Sequence, residues 1–527
     1  MLTRPLSIVL ATFALAQLFA VCPLRAIEAD ARTTALDSIT VDEVQRHVNV
    51  LADDTFEGRE AGSRGNRAAG LYIIEELKKY GLPGGAGGTY YQTGPQSNSI
   101  LAIAEGSDPK LKNEVILVGG HYDHVGYGSL RNSHGPIGYI HNGADDNASG
   151  VAALLEVAQA VSRLPVRPRR TILFAFWDGE EKGLWGSKYW IEHPTVPLAN
   201  VKLAINVDMV GRLRHSKLTV YGARTAPGLR RIVSRQNDPA LRLDFDWDIK
   251  GDSDHYSFFS RNLPILMLHT GLHDDYHRPS DDVEKINNDG LKEISRLMFG
   301  IVVELAEAPK LGRFRSQSRL ESNFVRRGAE VSLPAPPGRL GLRWDEAQAR
   351  EGSIVVRAIT PSSPADRAGL RAGDRIVTFA GREVHDPRQF RLLVLAAENP
   401  VPVTIQREGE AAPLDVALEL SGTPVRLGVS WRVDEAEPGC VIVNRLTPGS
   451  PADMAGLRAG DRIHRISGHD FTTGDEFREL AGSLPDPLVL EVETGGQVRA
   501  LSIPSLDDAA QKESPAEDAA APPTGDS

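Results

Sequence analysis

Residues 363–376 return 87 positions later as residues 450–463 with one difference, Arg367 against Met454. Leu340, Gly341, Leu342, Trp344 and Phe390 recur at the same offset as Leu427, Gly428, Val429, Trp431 and Phe477, so no net insertion separates the copies. Self-similarity at a fixed offset means two consecutive copies of one small structural unit. We bound them at residues 338–421 and 425–505. The rest of the 527-residue chain must then build a core of its own, and a single continuous fold is excluded.

Before the repeats, helical and strand patterns alternate. Apolar residues fall at helical spacing over 41–51, 68–80, 150–164, 184–192 and 291–306. Short β-rich runs occupy 100–104, 114–118, 171–177, 201–207, 217–221 and 265–269. The alternation predicts an α/β fold over residues 35–309, a mixed, mostly parallel sheet sandwiched by helices, followed by two small β-rich domains. Residues 310–337 turn Arg-rich and then Pro-rich, which predicts a linker. Residues 506–527 are rich in Ala, Pro and acidic side chains and predict a disordered tail.

Arg4 precedes the apolar run 6–21, which is short for a membrane span; the expectation is an export signal over 1–26. A secreted or periplasmic protein follows, with no stable membrane insertion once the signal is removed. A hydrophobic content of 41% and a charged content of 24% exclude a wholly disordered or polytopic membrane chain. The net charge of −11 offers no basic footprint for a phosphate backbone, so no nucleic-acid partner is expected. Cys22 and Cys440 are the only cysteines, which rules out a disulfide framework or a thiolate-rich zinc site.

Ionisable residues gather where predicted strands end: His121, Asp123 and His124 after 114–118, Asp178, Glu180 and Glu181 after 171–177, Asp208 after 201–207, and Tyr276 and His277 beyond 265–269. Open α/β sheets form their ligand crevice at the carboxyl ends of strands. A polar turn, Asp145-Asp146-Asn147, opens the helix at 150. Histidines and several carboxylates brought together repel unless cations are present. An all-nitrogen-and-oxygen donor set suits zinc in a catalytic site.

These motifs, His121-Tyr122-Asp123, residues 143–150, residues 178–181, residues 206–211 and Tyr276-His277, resemble in order those of the dinuclear zinc aminopeptidases of the clan MH type, which include bacterial leucyl aminopeptidases and glutamate carboxypeptidases. The resemblance implies a secreted enzyme that removes N-terminal residues from peptide substrates through a metal-activated water. It implies two Zn²⁺, one held by His121 and Asp208, the other by Glu181 and His277, with Asp146 bridging. It implies Glu180 as general base, Asp123 as the group orienting His121, and Tyr276 facing the oxyanion. Arg59, Trp185 and Phe258 are expected to line the pocket. His124, His141, His193, His215, His255, His269 and His273 are read as surface or packing residues. The repeats resemble bacterial-protease PDZ domains, with residues 339–342 and 426–429 as carboxylate-binding loops, which implies peptide or protein C-termini as partners.

Three alternatives remain open. A carboxypeptidase on the same fold would use Arg212, Arg214 or Arg278 for the substrate carboxylate. A glutaminyl cyclase would use one zinc. A PDZ scaffold would carry a degenerate peptidase domain.

Overall fold

The computed structural model describes residues 32–237, 240–345, 348–349 and 353–505; the expected signal over 1–26 and the expected tail over 506–527 lie outside them. Two compact units divide the chain, one running to Ala329 and including the short segments Glu435–Glu437 and Gly495–Gln497, the other formed by the rest from Glu330.

The first unit is built on an eight-stranded sheet of β1 (Tyr91–Thr93), β2 (Asn98–Ala104), β3 (Val115–His121), β4 (Thr171–Trp177), β5 (Val201–Val207), β6 (Lys217–Tyr221), β7 (Arg242–Asp246) and β8 (Ile265–His269). Their order is β1-β2-β4-β3-β5-β8-β6-β7. The central strands β4, β3, β5 and β8 run parallel. Antiparallel pairings join β2 to β4 and β6 to β8, so the sheet is mixed as expected. β3 and β4 are buried along their whole length, which is why they read as continuous apolar runs instead of alternating ones.

Among the described residues, the helices packed with this sheet include α1 (Val41–Leu51), α2 (Arg64–Lys79), α3 (Gly150–Ser162), α4 (Trp185–Glu192), α5 (Leu229–Gln236), α6 (His255–Phe259) and α7 (Asn288–Glu307). Side chains alternate between the two faces of each strand. Ile116, Val118, Phe174 and Phe176 enter the core shared with α1, α2, α3 and α7. Leu117, Leu173, Ala175 and Trp177 enter the core with Trp190 of α4 and Phe258 and Phe259 of α6.

Two helices start earlier than their apolar spacing indicates. Ser63 accepts a hydrogen bond from the Asn66 amide and starts α2 at Arg64, and Asn287 does the same for Gly290 at the start of α7. Caps precede the first residue that meets the core, so apolar periodicity misses that turn. Three of the five residues of β7, Arg242, Asp244 and Asp246, are charged, a composition depleted in strands that hides it in the sequence. It pairs in parallel with β6 and buries Leu243 and Phe245.

Beyond Pro309, the segment expected as a linker stays hydrogen-bonded to the first unit. Arg319 donates to the carbonyls of Phe259 and Ser260, and Arg326 to that of Phe245.

The second unit holds two antiparallel sheets, β14-β13-β11-β10-β9 with β12 on β11, and β15-β16-β17-β18-β19. Their strands are β9 (Leu342–Trp344), β10 (Ile354–Ile359), β11 (Arg375–Phe379), β12 (Arg382–Glu383), β13 (Val401–Gln406), β14 (Leu414–Leu418), β15 (Val429–Arg432), β16 (Val441–Leu446), β17 (Arg462–Ile466), β18 (Leu488–Thr494) and β19 (Gln497–Ile503). The sequence repeat persists in the packing. Phe390 and Phe477 are each fully buried, and each meets the tryptophan of its own edge strand edge-on, Trp344 at 5.4 Å and Trp431 at 5.0 Å.

Candidate active site

The parallel strands β4, β3, β5 and β8 end side by side, and each delivers ionisable residues to the same edge. β3 ends on His121, Asp208 follows β5, Glu180 and Glu181 follow β4, and Tyr276 and His277 lie on the loop after β8.

Asp146 stands at the centre. Its Oδ1 lies 3.4 Å from His121 Nε2, while its Oδ2 lies 3.2 Å from His277 Nε2. His121 Nε2 is also 3.3 Å from Asp208 Oδ1, and His277 Nε2 is 3.1 Å from Glu181 Oε2. One carboxylate thus serves two donor groups, His121 with Asp208 on one side, and Glu181, His277 and His124 on the other; each group closes within 4.8 Å.

Asp145 turns away from this centre. Its Oδ1 accepts from the Gly211 amide at 2.6 Å, and its Oδ2 lies 3.0 Å from His273 Nε2. The turn that separates the two aspartates is pinned from outside. Asp281 Oδ2 accepts from the amides of both Asp145 and Asp146 at 3.0 Å, and Asn147 bonds the Val207 carbonyl and the Met209 amide.

Negative charge dominates the cluster. Burial alone would lower the pKa of His121, but Asp208 and Glu180 outweigh it and hold the ring well above its usual value. His277 rises to about 10, where Asp146 and Glu181 overcome the opposing effect of burial. Burial pushes Glu180 well above the carboxylate range, with Glu181, Asp254 and Asp208 adding to it against the pull of His121. Carboxylates gathered in such number call for a divalent cation, and the oxygen and nitrogen donors present fit zinc.

Asp123 makes a contact other than the expected one. The His121 Nδ1 is 3.1 Å from the Asp123 backbone carbonyl but 3.8 Å from its carboxylate. That carboxylate instead accepts from the Glu180 amide at 3.0 Å and so fixes the loop that carries Glu180. The Tyr276 ring stacks on His277 at 3.9 Å and borders the same cleft.

The cleft has a volume of ≈ 190 Å³ and is lined beyond the cluster by Met209, Tyr221, Lys250, Asp252, His255, Met267, His269 and Leu272. Arg59, Trp185 and Phe258 are not among its lining residues, which corrects the expectation for all three. Phe258 belongs to the core with Trp177 and Trp190. Trp185 carries Lys182 over its ring. Arg59 is buried beneath the site and donates to the carbonyls of Leu51, Tyr122, Asn142 and Gly143 at 2.6–3.0 Å, tying α1 to two of the loops that carry the cluster.

Sequence reasoning missed several residues of the site: His255 and His269, read as surface or packing residues, line the cleft, and Ser253 and His124 bond its carboxylates. Ser253 donates to Asp208 Oδ2 at 2.7 Å and accepts from Asn206. His124, read as a packing histidine, is buried with its Nδ1 2.8 Å from Glu181 Oε1. Its only sequence signal was its place directly after Asp123.

Residues 99–302 match Peptidase family M28, and residues 338–418 and 442–494 each match a PDZ domain family. Leupeptin-inactivating enzyme 1 of Streptomyces exfoliatus is 27% identical over 370 residues, which span 67% of this chain and 78% of that protein. Aminopeptidase YwaD of Bacillus subtilis is 26% identical over 229 residues, 41% of this chain and less than half, 47%, of its own length. Among solved structures, the LapA aminopeptidase of Legionella pneumophila superposes with a TM-score of 0.44 at 20% identity, covering 54% of this chain and 76% of that one. A Zn-dependent exopeptidase of Parabacteroides distasonis gives 0.41 at 22% identity, covering 51% and 98%.

Proposed function

From a chain that carries a peptidase family M28 domain followed by two PDZ domains, we propose a secreted zinc aminopeptidase that removes N-terminal residues from peptides. The observation that carries it is Asp146, whose two oxygens face two separate sets of donors. His121 and Asp208 would hold one zinc ion and Glu181 and His277 the other, with Asp146 shared. Bound there, the ions supply Lewis acidity toward the scissile carbonyl and lower the pKa of water toward neutrality.

The chain's own residues do the rest. Glu180 Oε takes a proton from the attacking water and passes it to the leaving amine. Asp123 keeps the Glu180 backbone in place. Tyr276 Oη, kept protonated by burial and by the carboxylates around it, donates to the oxygen that gains charge. The free α-amine of the substrate meets the carboxylates of the cleft.

The carboxypeptidase alternative needs an arginine for the substrate carboxylate. Arg212 pairs with Asp275 at 3.0 Å, Arg214 donates to the Leu272 carbonyl and Arg278 to that of Gly135. None of the three lines the cleft, which weighs against a carboxylate anchor there. A second complete donor group weighs against the single-zinc cyclase, and intact donors in both groups weigh against a degenerate scaffold.

Each PDZ domain would receive a peptide C-terminus as an added strand on its edge strand, β9 or β15. The arginines of the two loops do not face that ligand. Arg339 donates to the carbonyls of Val394, Leu395 and Ala397 at the end of one helix, and Arg426 to those of Ala481 and Leu484 at the end of the other. They satisfy helix-end carbonyls, which leaves carboxylate recognition to the loop backbone. Gly341 and Gly428 are required there. Each has φ near +80°, and a Cβ on either would lie 2.2 Å from that of Ser363 or Ser450.

The test joins metal analysis to a panel of aminoacyl chromogenic substrates. Two zinc equivalents, loss of activity on chelation and recovery on adding Zn²⁺ are expected. A single equivalent with no second site on titration would overturn the dinuclear reading, and cleavage only of N-blocked substrates would overturn the aminopeptidase.

A further inference from the structure

Glu181 divides its two oxygens between two imidazoles. Oε2 faces His277 Nε2 at 3.1 Å beside Asp146, on the side where a metal ion would sit. Oε1 faces His124 Nδ1 at 2.8 Å, an ordinary hydrogen-bond distance, while His124 Nδ1 stays 3.7 Å from Asp146 Oδ2. The other nitrogen, His124 Nε2, is buried and has no hydrogen-bond partner. A ring nitrogen 2.8 Å from a carboxylate oxygen carries the hydrogen, so Nδ1 donates to Glu181.

The slot around this ring is built. Gly143 packs against it with φ of +56°, and a Cβ at that position would come within 2.5 Å of the His124 ring. The His277 ring meets it edge-on at 5.5 Å, and the His124 amide donates to the Arg59 carbonyl. Gly143 on one side and the His277 imidazole on the other enclose the His124 ring, whose Nδ1 is turned toward Glu181.

We propose that His124 is a positioning residue: its Nδ1–H holds Oε1 of Glu181 so that Oε2 alone is presented to the metal ion shared with His277. This rests on the zinc-peptidase reading of the same site. A carboxylate fixed in this way binds through one oxygen and leaves room for substrate, whereas a free one can rotate to offer both. Partners that orient a metal ligand typically contribute 10–100-fold to metal affinity. The effect should fall on one of two metal equivalents, since His124 touches Glu181 and not Asp208.

The experiment uses the full chain stripped of metal and titrated with Zn²⁺ against a chromogenic chelator, for the wild type, His124→Leu, His124→Asn and Glu181→Gln, with thermal melting of each metal-free form as the folding control. His124→Leu is expected to weaken one equivalent by about 10–100-fold and leave the other within a few-fold. His124→Asn can offer an amide N–H where Nδ1 was, and should recover most of that loss. Combined with Glu181→Gln, His124→Leu should add little, because both changes act on one contact. In Co²⁺-loaded protein, His124→Asn should keep the wild-type visible absorption. Unchanged affinity in His124→Leu would overturn the proposal. So would a His124→Asn variant that binds as weakly as the leucine variant with an altered Co²⁺ spectrum, the result expected of a direct ligand. A wild-type chain that binds no metal would overturn the zinc reading itself, and this inference with it.

Discussion

Glu180 leaves β4 three residues after Trp177, on a loop whose amide is held by Asp123. Because the loop is fixed through its backbone, Glu180→Gln should retain fold and both metal equivalents while kcat falls on the order of 10²–10⁴-fold. Near-normal kcat in a metal-replete variant would remove Glu180 from the role of base. Glu156 on α3 makes a different prediction. Both its oxygens are buried without a hydrogen-bond partner, and Oε1 is 3.3 Å from His47 Nε2. Burial, helped by Glu43, pushes its carboxyl up to about 8, while burial and Arg46 hold His47 down to about 3. Glu43, Arg46 and His47 approach from α1, Glu76 and Tyr80 from α2, and Arg163 ends α3. A carboxyl raised above its unfolded value favours the folded state below about pH 4.5, and that contribution is lost as pH rises toward 8. His47 adds the opposite trend, confined to pH below its unfolded value of 6.5. Glu156→Gln should therefore melt like the wild type at pH 5 and higher at pH 9, by a margin of about 1–3 kcal/mol. Parallel melting curves for the two proteins across that range would show that Glu156 is not the titrating group.

Elements matter here through what they hold still. Arg59 sits between α1 and the loops bearing Tyr122, Asn142 and Gly143, and one guanidinium satisfies four backbone carbonyls. Burial lowers its pKa to about 10, with Asp146 the largest of the carboxylates that favour its charge. Arg59→Met should cost at least about 3 kcal/mol, because it strands several buried acceptors at once. It should also weaken zinc binding without removing any donor. If Arg59→Met kept wild-type stability and metal affinity, the loops would be shown to hold themselves.

At the scale of the whole molecule, the structure moves the useful cutting point. Truncation at Pro309 would discard Arg319 and Arg326, which bond the first unit, whereas a chain ending at Ala329 keeps them. The chain ending at Ala329 should hydrolyse small aminoacyl substrates with near full-length kcat. For longer peptides its KM should exceed that of the full chain, because PDZ domains that hold a carboxyl terminus raise the local concentration of the amino terminus. Equal KM values across peptides of increasing length would assign the PDZ pair to localisation or assembly instead.

What was legible beforehand were features that repeat or that end a strand. The 87-residue repeat announced two domains, and the apolar runs of β3 and β4 announced a covered sheet because wholly buried strands need no polar face. His121, Asp208, Glu180 and Glu181 stood out because each directly follows such a run. Tertiary structure decided how neighbours part. Asp145 and Asp146 are adjacent and identical in chemistry; motif position already pointed to Asp146, and the structure supplies the cause, with the Gly211 amide, Ser149 and His273 holding the Asp145 carboxylate away from the centre. Ser253 and His124 act through contacts 45 and 57 residues distant in sequence, Arg59 reaches as far as 84, and His124 packs beside a left-handed glycine. Local patterning records the period of an element and where it stops. The direction of a buried polar side chain is set by whichever distant group satisfies it, and that partner exists only once the chain has closed around it.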